Sequence, residues 1–230
     1  MDIEQDIKIA VDAIVFGYAN RRLNVLLVRQ KYGALKGRWA LVGGFVKDGE
    51  GLHDAVNREL KEETDIKVNY LEQLYTLGDD VERDPRFRVV SVAYFALINS
   101  AKMKLKAGTD AEEARWFVLE DLPDLAFDHG KIIETALKRL RAKLTYRPVG
   151  FDLLPKEFPF SDLEHLYNEI LRKEIDRRNF RKKMMSLGIV EETEKFDKRK
   201  SGRPAKLYRF NNMKYKELST KGFLFEIKFV

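Results

Sequence analysis

The chain has no cysteine among its 230 residues, which excludes disulfides and thiolate metal sites. No segment approaches the roughly 18 consecutive apolar residues of a membrane span. The N-terminus, MDIEQDIKIAVDAIVF, lacks a basic flank leading into a long apolar run. No secretory signal is therefore expected, and a soluble cytoplasmic protein is. Proline is scarce, at six in all, and three of these (Pro148, Pro155 and Pro159) fall between Arg147 and Pro159. That cluster opposes a continuous helix and marks a boundary.

At 44% hydrophobic residues the chain can bury a core, and its length suits one large domain or two smaller ones. Charge is unevenly placed. Residues 1–150 hold 24 Lys and Arg against 24 Asp and Glu, whereas residues 151–230 hold 19 against 13. The net excess of +6 thus lies entirely in the last third. Such asymmetry suits a nucleic-acid or other acidic partner there, or simply a basic solvated surface.

The first two-thirds alternates strand and helix patterns. Strands are expected at 7–18, 23–29, 39–42, 68–77, 88–98 and 116–119, the first two forming a hairpin. Helices are expected at 52–64 and 132–144, the second with Ile132, Ile133, Ala136, Leu137, Leu140 and Leu144 as its buried stripe. The fold class expected is α+β, with residues 1–147 as the first domain. A packed linker at 148–160, with Val149, Phe151, Leu153 and Leu154 apolar, leads to a second domain at 161–230.

Within the first domain, GFVKDGEGLHDAVNRELKEETDI from Gly44 to Ile66 places Glu59, Glu62 and Glu63 at i, i+3 and i+4. On a helix these carboxylates share one face and repel each other. A hard divalent cation with oxygen ligands, Mg2+ or Mn2+, would reverse that cost. A solvated helix face carries similar runs. Here, however, Gly43 and Gly44 allow a tight turn just before, and Glu50 can pair with Arg58.

The second domain opens with Ser161 and Glu164 spaced as a capping box, followed by Leu163, Leu166, Tyr167 and Ile170 at helical spacing. Asp176 is positioned to cap a second helix, 177–187, stopped by Gly188. Phe180, Met184 and Leu187 share one face of it; Arg178, Lys182 and Met185 share the other, with Arg181 at the edge and Arg177 and Lys183 flanking. Two strands, 189–193 and 205–210, enclose a basic loop from Lys195 to Arg203. Helix, turn, helix and hairpin form the winged helix-turn-helix pattern, with basic side chains aimed at phosphates and base edges. An amphipathic helix with solvated lysines is the plainer alternative. Candidate DNA contacts are Arg177, Arg178, Asn179, Arg181, Lys182, Arg199 and Arg203. Gly202-Arg203-Pro204 also resembles a minor-groove AT-hook core.

Gly44, Glu50, Arg58, Glu59, Leu60, Glu62, Glu63 and Ile66 match the Nudix box in register; Asp65 stands where the box has glycine. Joined to the winged helix, this resembles the NrtR/AraR family of bacterial Nudix-related transcription factors. The likeness extends through Trp39 to Val46, Asp84 to Ser91, Phe127 to His129, Pro148 to Pro155 and Asp176 to Lys182. It implies a Nudix fold, a mixed sheet sandwiched between helices, for the first domain, and a homodimer that binds a double-stranded DNA operator. It also implies a small-molecule effector in the Nudix domain, ADP-ribose or a related nucleotide in one branch and a sugar such as arabinose in another, whose binding weakens the grip on DNA. By likeness to Nudix hydrolases, Glu59, Glu62 and Glu63 would bind the metal and Arg58 would order them. Pyrophosphate hydrolysis of ADP-ribose or a related nucleotide is the second expectation, although Val42 and Asp65 depart from the hydrolase pattern. Arg38, Gly43, Gly44, Asp84, Arg86 and Arg88 are candidate ligand contacts, each of the charged ones also readable as a loop salt bridge.

Overall fold

The computed structural model describes residues 6–32, 35–101, 103, 105, 111–197 and 204–230. By its internal contacts the chain forms two compact units. One comprises residues up to 17 with 24–139, the other residues 18–23 with 140–230.

The first unit is built on a seven-stranded mixed sheet. Its strands are β1 (Lys8–Ala19), β2 (Arg22–Gln30), β3 (Trp39–Ala40), β4 (Val42–Phe45), β5 (Tyr70–Leu77), β6 (Val89–Ile98) and β7 (Ala111–Val118). The path runs β3-β2-β1-β6-β5, with β4 paired to β1 and β7 to β2. β1 and β6 run parallel over ten residue pairs from Lys8↔Val89 to Gly17↔Ile98. Their near-continuous Val, Ile, Phe and Ala runs reflect burial of both faces of a central strand. The β1–β2 turn uses Asn20 and Arg21 at φ 51° and 61°, as a tight hairpin requires.

Helix α1 (Leu52–Thr64) lays Ala55, Val56 and Leu60 into a core shared with Val11, Ala13, Val15, Val28 and Val42. It ends on Asp65 in the left-handed conformation, φ 56°; the Asp65 N–H donates to the Lys61 carbonyl at 3.0 Å and the Ile66 N–H to the Leu60 carbonyl at 3.4 Å. The residue in the box-glycine position thus keeps the glycine's backbone geometry. The expected 39–42 strand is instead two, broken at Leu41. Helix α2 (His129–Tyr146) begins three residues earlier than expected and buries Ile132, Ile133 and Ala136, with Leu137 only partly covered.

In the second unit, β8 (Glu157–Pro159), β9 (Val190–Asp197) and β10 (Ala205–Phe210) form a sheet ordered β8-β10-β9. It packs with α3 (Phe160–Leu171) and α4 (Arg177–Ser186). Phe160, Tyr167 and Phe180 meet as an aromatic cluster with centroids 4.8–6.0 Å apart. Tyr167 is fully buried, and its hydroxyl donates to the Val149 carbonyl at 3.1 Å.

Two local expectations need correction. Ser161 does not cap α3: the helix starts at Phe160 after Pro159, with no side-chain cap, and Glu164 instead accepts from Arg177 at 2.9 Å. The fixed φ of Pro159 starts the helix one residue before Ser161 can serve as cap. A further helix, α5 (Asn212–Lys221), capped by Asn211, was not anticipated; it buries no residue and so carries little periodic signal. Asp176 does cap α4, accepting from the Asn179 N–H at 3.0 Å. No helix among the described residues is long and apolar enough to cross a membrane.

Candidate functional site

A cleft of about 400 Å3 opens in the first unit, lined by Asp12, Gly43, Gly44, Glu59, Glu63, Asp84, Arg86 and His129 among others. Strand β4 forms one wall. Its register with β1 pairs Gly43 with Asp12 and Gly44 with Val11. A Cβ on Gly43 would lie 2.2 Å from the Val11 carbonyl oxygen, and one on Gly44 would lie 2.3 Å from Glu59 Oε1. Close approach of backbone therefore requires glycine at 43, whereas at Gly44 the neighbour is the movable end of the Glu59 side chain.

Arg58 organises the carboxylates of α1. Its Nε and Nη2 grip Glu50 in a fork at 2.7 and 2.9 Å. Its Nη1 donates to Glu59 Oε1 at 2.6 Å and Glu62 Oε2 at 3.2 Å. Bidentate, charge-assisted bonds of this kind are strong and fix orientation. The hydrogen bond from Arg58 leads the effects that hold the Glu50 carboxyl down at about 2. Burial pushes Glu59 upward, against the opposing pull of Arg58. Glu63 Oε2 accepts from the Gly43 N–H at 3.2 Å, tying α1 to β4.

The donor set is all oxygen and in kind suits a hard divalent ion. In arrangement it does not. Among the described residues no three acidic or histidine side chains gather around one point. Arg58 draws Glu59 and Glu62 to itself instead, so a metal would have to displace the guanidinium.

The rear of the cleft carries a buried polar network from distant segments. Asp12, on β1, accepts from the Ser91 hydroxyl at 2.6 Å. Arg83 forks onto Asp128 at 2.7 and 3.2 Å and lies 3.7 Å from Asp12. His129 Nδ1 accepts the Leu41 N–H at 2.9 Å, and its Nε2 faces Asp12 at 3.5 Å. None of Asp12, Arg83, Asp128 and His129 belongs to the candidate site residues read from the sequence. One signal was available, a lone aspartate in the apolar run IKIAVDAIVF.

Burial is the main cause lowering the His129 pKa below 6.5, while Asp12 and Asp128 oppose it. Below pH 6.5 the unfolded chain therefore takes up a proton that the folded chain refuses, and stability falls on acidification. Asp128, Asp84 and Glu50 are all held below their ordinary values and lose their contribution only at lower pH. Melting temperatures from pH 7.5 to 5.5 should drop more in wild type than in His129→Asn. Equal drops would mean that His129 is not held neutral.

The other candidates divide. Asp84 and Arg86 line the cleft and form a bidentate pair at 2.8 and 3.0 Å. Arg38 is not in the lining and donates to the Leu125 carbonyl at 2.7 Å. Arg88, likewise outside it, donates to the Gly78 carbonyl at 2.8 Å.

On the second unit, α4 presents Arg178 and Lys182, both exposed and, among the described residues, without a carboxylate partner. Arg177 pairs with Glu164, and the Asn179 side chain bonds to Asp176. Arg181 donates to the Tyr208 hydroxyl and stacks over the Phe160 and Tyr208 rings at 4.9 and 5.1 Å. Lys195, Lys206 and Arg209 of the hairpin pair with Glu157, Glu192 and Glu191. Arg199, Arg203 and the Gly202-Arg203 part of the AT-hook-like tripeptide lie outside the described residues.

Residues 6–136 match the family model for the NUDIX domain, and residues 150–210 match that for the NrtR DNA-binding winged helix domain. The ADPR responsive transcriptional repressor NtrR of Acinetobacter baylyi is 37% identical over 204 residues, covering 87% of this chain and 80% of that protein. The ADP-ribose pyrophosphatase of Methanocaldococcus jannaschii is 42% identical over 132 residues, 56% of this chain and 73% of that one. Among solved structures, Shewanella oneidensis NrtR in complex with a 27mer DNA superposes with a TM-score of 0.80 at 33% identity, over 90% of this chain and 95% of that one. A Nudix-type α1 beside a polar cleft, joined in one chain to a basic winged helix, places this protein in the NrtR family of Nudix-related proteins.

Proposed function

We propose that this protein is a transcriptional regulator that binds operator DNA through α4 and releases it when ADP-ribose occupies the Nudix cleft. One observation carries the reading. The same chain holds a cleft flanked by Arg86 and the Gly43-Gly44 backbone, suited to phosphate and sugar oxygens, and a helix with Arg178 and Lys182 unpaired toward solvent. A hydrolase has no need of the second feature. The likeness to an ADPR responsive repressor and, over the Nudix segment, to an ADP-ribose pyrophosphatase favours ADP-ribose over a pentose. The protein works in the cytoplasm as a homodimer, because two recognition helices related by a two-fold axis read two half-sites.

The second reading is pyrophosphate hydrolysis with Mg2+ or Mn2+. It is favoured by Glu59, Glu62 and Glu63 all being present in the stretch similar to a pyrophosphatase. It requires those carboxylates to leave Arg58 and gather on the ion. Titration calorimetry separates the two readings. Under the first, ADP-ribose binds with the same Kd in EDTA as in magnesium, arabinose gives no heat, and no AMP forms. Magnesium-dependent AMP release that is lost in Glu62→Gln would establish hydrolysis instead.

A further inference from the structure

The segment after α5 lies beyond residues 150–210, the part matched to the winged helix family. It is nevertheless fastened to α4. Phe225 and Ile227 are buried, while Lys228 stays exposed. The Asp176 N–H donates to the Lys228 carbonyl at 2.9 Å, and the Val230 N–H donates to that of Glu174 at 3.0 Å. Ile175 and Phe229 form an antiparallel bridge. The residue that caps α4 is thus hydrogen-bonded to this strap. With 100° per residue around α4, Arg178 and Lys182 face outward, Arg181 turns toward Tyr208 of β10, and Asn179, Lys183 and Ser186 turn to the opposite side. The strap runs on that opposite side. A notch of about 230 Å3 between it and α4 is lined by Lys182, Lys183, Ser186, Glu226 and Lys228.

We infer that residues 222–230 form a second flank of the DNA interface, and that the notch takes one backbone phosphate between Lys228 and the Lys182–Lys183 pair. Lys182, Lys183 and Lys228 line the notch with one carboxylate, Glu226, and the Asp176 carboxylate also feels the Lys228 charge, so three cations stand against two anions and the notch keeps a net positive charge suited to a single phosphodiester. The Ser186 hydroxyl already donates to the Lys183 carbonyl at 3.0 Å and is left with acceptor capacity only. The lysines therefore supply the contact. The backbone bonds of the strap hold Lys228 in place whatever its side chain, so replacing that side chain leaves the fold intact. A backbone contact also carries no base information, so its loss weakens specific and unrelated duplexes alike.

This inference rests on the DNA-binding reading, and the experiment separates the two. Binding of the full chain is measured from 50 to 200 mM salt, on a duplex selected by the protein from a random pool and on an unrelated duplex. Lys228→Ala should weaken both duplexes to the same extent, about threefold to tenfold at low salt, and lower the slope of log K against log salt by about 0.9. Its melting temperature should match wild type. Unchanged affinity and slope in Lys228→Ala, with binding still lost in Arg178→Ala, would overturn the second flank and leave the recognition helix standing. Weaker binding with an unchanged slope would also overturn it, since the strap would then act only as scaffold. Equal binding by wild type and Arg178→Ala would instead sink the recognition-helix reading.

Discussion

Replacing Arg178 and Lys182 together with alanine is expected to abolish binding to a selected duplex, with a loss of at least about a hundred-fold at moderate salt. The two side chains sit four residues apart on α4 and face away from its buried stripe of Phe180 and Met184. Neither is held by a carboxylate among the described residues, so neither loses a partner on reaching DNA. Arg177 and Arg181 differ. The first would have to leave Glu164, and the second is fixed over Phe160 and Tyr208. Alanine at Arg181 should therefore disturb the joint between α4 and β10 as well as any DNA contact. Fluorescence anisotropy with the double variant reads the effect directly. Wild-type affinity in a folded double variant would mean that α4 is not the recognition helix.

The second large effect is on stability. Gly43→Ala is expected to cost about 3 kcal/mol, because the added methyl meets backbone rather than a movable side-chain end. Its Cβ would stand 2.2 Å from the Val11 carbonyl oxygen and 3.2 Å from the Asp12 Cα. Relief requires parting β4 from β1 and with it the Gly43 N–H from Glu63. At 2–4 °C per kcal/mol for a chain of this size, the melting temperature should fall by roughly 6–12 °C. ADP-ribose affinity should fall too, since Gly43 and Glu59 both line the cleft. A variant that melts like wild type would show that β4 can yield there at little cost.

What was legible in the sequence was local and periodic. Helix α1 has the expected bounds, 52–64, because its carboxylates and apolar residues repeat at helical spacing. The Asp65 cap and the Asp176 cap depend on a few neighbouring residues and were readable for that reason. The Ser161 box failed because its residue types fit while Pro159 had already set where the helix begins. Other features depend on long-range contact. Asp12, Arg83 and His129 meet only when β1, the segment before β6 and the start of α2 come together. For Arg38 and Arg88 the sequence left ligand contact and loop pairing equally open, because the carbonyl each donates to is brought near only by the fold. Strand β8 was hidden in the proline-rich stretch, since three residues carry too little alternation to announce a strand.

The proposed release of DNA by ADP-ribose requires the Nudix cleft and α4 to be energetically coupled. Coupling is reciprocal, so ADP-ribose must raise the Kd for DNA by the same factor by which DNA raises the Kd for ADP-ribose. The most direct test measures the Kd of the selected duplex across a series of ADP-ribose concentrations, with ADP-ribose binding followed separately by calorimetry. With the two sites coupled as proposed, DNA affinity falls as ADP-ribose rises and levels off at a plateau set by the coupling factor. A duplex Kd that stays constant while ADP-ribose saturates the protein would contradict it.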